Sequence, residues 1–138
     1  MKKERLVILS DLWGEQKGDW TRHYEALLQD RFEIQYYDSC VLGDVDTSIY
    51  EEKSLHRQFV TGGIARAKEQ LLVLEPSKIS ILAFSIGGAT AWKAALDGLH
   101  VGKLVTVSAT RLRHETKRPT CSLTCFFGEK DAFRPSED

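Results

Sequence analysis

The sequence predicts an α/β protein: a mostly parallel five-stranded sheet between helical layers, built as one domain over residues 1–138. Three observations carry this. Short apolar, partly β-branched bursts recur along the chain at Leu6–Leu9, Phe32–Tyr37, Ile79–Phe84, Lys103–Val107 and Cys121–Phe127. Segments with helical periodicity separate several of them. Strand–helix alternation of this kind builds parallel sheets with helices on both faces. The third is a strand that ends in a serine followed by two glycines, Ile79 to Gly88.

The elements follow in order. Leu6–Leu9 reads as a buried strand. Trp20, Tyr24, Leu27 and Leu28 share one helical face, with Asp19 as the expected N-cap. Phe32–Tyr37 is the second strand. Asp38–Asp46, polar with one glycine, is expected to be a loop. From Ser54 to Leu74, Val60, Ile64, Ala67, Leu71 and Leu74 recur at steps of four and three. They predict one long amphipathic helix running through Gly62-Gly63 and stopping near Pro76. Glu51 and Glu52 fit a solvated helix start. After the strand 79–84, a helix is expected from Gly87 to about Leu96, with Trp92 in the core. Lys103–Val107 is the fourth strand, Arg111–Pro119 a basic loop, and Cys121–Phe127 the fifth strand.

Composition narrows the function classes. Apolar residues make up 42% and charged residues 28%, ordinary for a soluble globular domain. A net charge of −1 argues against non-specific nucleic-acid or membrane-surface binding. The four-residue apolar run near the N-terminus is too short for a signal-peptide core or a membrane span, so a cytoplasmic location is expected. Cys40, Cys121 and Cys125 lack zinc-ligand spacing and are expected as buried free thiols. No metal or cofactor is expected.

The chemistry centres on Ala83-Phe84-Ser85-Ile86-Gly87. A strand, a sharp turn carrying Ser85, and a helix that packs back would lift the hydroxyl above the sheet edge. There it meets the first free N–H groups and the positive end of the helix dipole. The pattern is close to G-x-S-x-G, with alanine in place of the first glycine.

With that elbow in place, the chain resembles the α/β-hydrolase fold family, and its small esterase and dienelactone-hydrolase-like members in particular. The family's oxyanion loop after the first strand matches Ser10-Asp11-Leu12-Trp13-Gly14. The tryptophan of its next helix matches Trp20, and the aspartate closing its next strand matches Asp38. A Gly-x-x-Asp segment after the last matched strand corresponds to Gly128-Glu129-Lys130-Asp131. The resemblance implies strand order 2-1-3-4-5 and a serine hydrolase acting on a small ester or thioester through an acyl-enzyme. Ser85 would attack, Asp131 would orient a histidine, the N–H groups of Ile86 and Leu12 would hold the oxyanion, and Trp13 would line the pocket.

The family brings its histidine from beyond the acid, and no histidine follows Asp131 in this sequence. Of the four present, His100 precedes the fourth strand and lies about 16 Å away, at the wrong sheet edge. His23 reads as a helix-face residue and His56 as a polar-face one. His114 follows the fourth strand on the Ser85 edge, making it the best internal candidate base, although its basic surroundings read as a solvated loop. The sequence therefore also admits a hydrolase fragment, an inactive hydrolase-like chain, or a non-catalytic module binding a ligand or partner at the same edge. A flavodoxin-like phosphate binder fits less well, because Asp-Leu-Trp-Gly replaces the small-residue turn that a phosphate requires. The missing terminal elements would leave the fifth strand as an open edge. That predicts homodimerisation or aggregation unless another segment of the chain covers it.

Overall fold

The computed structural model describes residues 3–128. Its centre is a five-stranded, all-parallel sheet of β1 (Glu4–Leu9), β2 (Phe32–Tyr37), β3 (Ile79–Phe84), β4 (Val101–Val107) and β5 (Ser122–Phe126), in the order β2-β1-β3-β4-β5. The central position of β1 and β3 explains their composition. Val7, Ile8, Leu9, Ile79, Ile81 and Ala83 are all buried, so apolar side chains point to both faces.

One face carries α4 (Ile64–Leu74) and α5 (Ile86–Leu96), which pack on Val7, Leu9, Ile81, Ala83 and Leu104. The other face carries α1 (Thr21–Leu28), whose Tyr24 and Leu28 cover Leu6, Ile8 and Phe84. Three layers result. A smaller apolar cluster of Cys40, Val45, Leu55, Phe59, Ile64, Ile86 and Ala89 joins α2 (Ser39–Leu42), α3 (Glu52–Gln58) and the start of α5.

The segment from 52 to 74 departs from the expected single helix. α3 and α4 are joined by one wide turn, Phe59–Gly63, with i→i+5 geometry. The buried positions are Leu55, Phe59, Ile64, Ala67 and Leu71. Their spacing contains a step of five, from 59 to 64. That extra residue rotates the two halves relative to each other. Phe59 therefore turns inward and Val60 stands exposed, as does Leu74 at the far end.

Other expectations are corrected as well. Asp38–Asp46 is not all loop, because Asp38 caps the short α2: its carboxylate accepts the Cys40 and Val41 N–H groups. α1 begins after Trp20 with no side-chain cap, so Asp19 does not serve, and Leu27 is exposed. The basic loop opens with a 3₁₀ turn, Thr110–His114. The three cysteines are free; Cys40 is buried, Cys121 half-buried and Cys125 exposed. Cys125 differs because β5 is an edge strand among the described residues, and most of its side chains are open to solvent. Among the described residues, no helix is long and apolar enough to cross a membrane.

Candidate active site

Ser85 occupies the turn between β3 and α5 with φ +52° and ψ −116°. Such a conformation costs a non-glycine residue about 1–3 kcal/mol and persists only where the surroundings dictate it. Here they do. The Ser85 N–H donates to the Val107 carbonyl at 2.8 Å, continuing the β3–β4 ladder past its last paired residue. The Ser85 carbonyl accepts the Gly88 N–H at 2.9 Å, which starts α5 at once. The chain must therefore reverse within one residue.

The two glycines after it are steric requirements. A Cβ at position 87 would lie 2.6 Å from the Ser10 carbonyl oxygen, and one at position 88 would lie 2.5 Å from the Ala109 Cβ. The first turn of α5 is thus wedged between the ends of β1 and β4. Ala91 and Ala94 continue the small-residue packing in the sheet-side core, and Ala89 turns toward the cluster of α2 and α3. Phe84, immediately before the serine, is held by the Trp20 ring, edge-on with centroids 4.6 Å apart.

The β1 flank is densely hydrogen-bonded. Ser10, fully buried, accepts the Ser39 N–H at 2.7 Å, and the Ser39 hydroxyl donates to the Ser10 carbonyl at 2.6 Å. Asp11 accepts the Trp13 N–H at 2.9 Å, and Asp38 accepts the Glu15 N–H at 2.9 Å besides capping α2. Gly14, at φ +66°, takes a conformation that favours glycine. A Cβ there would also strike the Asp38 carboxylate at 2.5 Å. Burial raises the Asp11 carboxyl above its usual range, opposed by hydrogen bonds from the Trp13 and Gly14 backbone and reinforced by Asp38. Burial, with the charges of Asp38 and Asp11, pushes the Cys40 thiol up to about 12. Cys40 is an inert thiol there, donating to the Leu12 carbonyl at 3.1 Å.

Leu12 and Trp13 pack on the cluster that contains Ile86, so the oxyanion-loop candidate and the start of α5 share one wall. Trp13 is not available as an N–H donor, being occupied by Asp11. Leu12 and Ile86 form no backbone hydrogen bond through N–H to another loop or turn of the described residues, and the first N–H groups of a helix lack intrahelical partners. The Trp13 indole meets Tyr50 edge-on at 5.3 Å, and the Tyr50 hydroxyl donates to the Trp13 carbonyl at 2.6 Å. The Lys17 ammonium stands 4.0 Å above the Trp13 ring.

The β4 flank is looser. His114 is exposed at the end of the 3₁₀ turn and has no hydrogen bond to Ser85. The segment after it is tied to the middle of α5: the Trp92 indole N–H donates to the Lys117 carbonyl at 3.0 Å, and Lys93 pairs with Glu115 at 3.1 Å. Lys93 lies eight residues beyond Ser85, about 12 Å along the helix axis. The segment that follows His114 is therefore anchored down the helix, away from its first turn. His23 and His56 are exposed, and the His100 carbonyl accepts the Ile79 N–H at the opposite end of β3. Asp131 lies outside the described residues.

Sequence reasoning missed Ser39, Cys40 and Tyr50. An aspartate directly before a short apolar stretch was the available signal for the α2 cap, and nothing local marked Tyr50. Among the described residues no group of three or more histidine, cysteine or acidic side chains is arranged to hold a metal. An open groove of about 740 Å³ between α2 and α4, lined by residues including Tyr37, Val41, Arg66 and Leu74, does not include the elbow. No protein-family model matches the chain, and no curated protein is significantly similar to it in sequence.

Proposed function

We propose that the protein is a serine hydrolase of the α/β type, acting on a small ester or thioester through an acyl-enzyme on Ser85. The observation that carries this reading is the left-handed backbone of Ser85, imposed by a helix start that only glycine at 87 and 88 allows. Strain of this kind at a strand-to-helix turn is what exposes a nucleophile beside unpaired helix N–H groups. The Ser85 Oγ would attack the acyl carbon while the carbonyl π pair moves onto oxygen, where the N–H groups of Ile86 and Leu12 would stabilise it. Collapse would expel the alcohol or thiol with the serine proton. Water would then release the acid and restore the hydroxyl. Asp131 and its histidine partner belong to the resemblance, and Trp13 with Tyr50 would wall the pocket.

Without a positioned base, donors and proximity alone retain roughly a thousandfold to ten-thousandfold over water in a serine protease. The corresponding expectation here is slow 4-nitrophenyl acetate turnover that Ser85→Ala abolishes and His114→Ala leaves unchanged. Equal turnover by the wild type and Ser85→Ala contradicts the nucleophile. Fast turnover lost in His114→Ala would instead make His114 the base. Among the described residues β5 pairs only with β4, which supports self-association through its other side; a clean monomer by light scattering at high concentration would contradict it.

A further inference from the structure

The charges around Ser85 are unequally committed. Asp11 and Asp38 spend their carboxylates on backbone N–H groups, and Glu115 is paired with Lys93. Arg111, half-buried, forms no ion pair or hydrogen bond among the described residues. Its position follows from the fold. The Val107 carbonyl accepts the Ser85 N–H, so Ser108 sits at the end of the strand beside the elbow, itself at φ +55°. Ala109 lies against Gly88 in the first turn of α5, and Leu112 is buried in the main core. With 109 and 112 facing inward, the turn is fixed and Arg111 is carried on the Ser85 edge. Arg113, by contrast, is exposed and donates to the Thr110 carbonyl at 2.8 Å. Lys17 adds a second cation on the opposite flank, over Trp13.

Resting on the hydrolase reading, we propose that the acyl group accepted by Ser85 ends in a carboxylate, which Arg111 binds. A guanidinium suits this task because its planar donors match a carboxylate and it keeps its charge at all working pH values. A partly buried site also screens the pair less than open solvent does.

The test compares two esters of equal chain length, 4-nitrophenyl valerate and mono-4-nitrophenyl glutarate, with Ser85→Ala as the background for each. Ser85-dependent nitrophenolate release should be about tenfold faster for the glutarate ester, equivalent to about 1.4 kcal/mol. Arg111→Gln should remove that preference and leave the valerate rate within about twofold, whereas Arg118→Gln should preserve it. Raising the salt concentration should shrink it. Equal rates for the two esters, or a preference that survives Arg111→Gln, overturns the carboxylate assignment while the Ser85 reading stands. Release that is independent of Ser85 with both esters overturns the hydrolase reading and this inference with it.

Discussion

The two flanks of Ser85 are built differently. On the β1 side, Ser10, Asp11, Asp38, Ser39, Cys40 and Tyr50 all bond to neighbouring main chain, and the loop from Leu12 to Gly14 has little freedom. On the β4 side, the turn is fixed by Ala109 and Leu112, but its charged side chains and β5 are largely open. Under the proposed hydrolase function, the difference matches where precision would be needed. A group that must hold a developing oxyanion has to be set in advance, because its value comes from not reorganising during the reaction. A flank that selects a substrate by charge tolerates more motion.

The contrast can be broken by substitution. The largest effect is expected where the flanks meet. Gly88→Val places side-chain atoms inside the Ala109 and Thr106 contacts and should cost about 3 kcal/mol, read as a lowered urea midpoint. An unchanged midpoint would mean that α5 is not wedged as described. Next comes Asp38→Ala, which strips an acceptor from the Glu15, Cys40 and Val41 N–H groups and should cost about 2 kcal/mol.

The smallest effect is a pH dependence on the β1 flank. Asp11 has a folded-state pKa above its unfolded value, so its ionisation weakens the fold. Its contribution is neutral below the unfolded value near 3.8 and becomes destabilising as pH rises through the raised folded value. Asp11→Asn should therefore remove a loss of stability on going from acid toward neutral pH. A variant whose stability falls as steeply as the wild type over that range would contradict the assignment.

How much of this was legible in the sequence depended on burial. β2 and β3 have the expected bounds because β2 alternates Phe32, Ile34 and Tyr36 with Glu33 and Gln35 before Asp38, and β3 is almost wholly apolar up to the Ser85 turn. β1 reaches back to Glu4 and β4 to Val101 because pairing with Phe32 and Ile79 extends them beyond their apolar runs. Periodicity placed Ile64, Ala67 and Leu71 correctly but not Val60. A single inserted residue changes the phase without changing the composition. The elbow turn was readable since Ser85 and its glycines are adjacent in sequence. The β1 flank was not. Its partners are separated by 23 to 37 residues, as in the Asp38–Glu15 and Tyr50–Trp13 bonds, and meet only when the sheet forms.

The central claim is that Ser85 is a nucleophile held ready by the wedge of α5. The direct measurement is labelling by a fluorophosphonate probe, with the modified residue located by peptide mass spectrometry. Slow, stoichiometric modification of Ser85 is expected, absent in Ser85→Ala, lost on unfolding in urea, and indifferent to His114→Ala. Modification spread over exposed tyrosines or lysines with Ser85 untouched would contradict it.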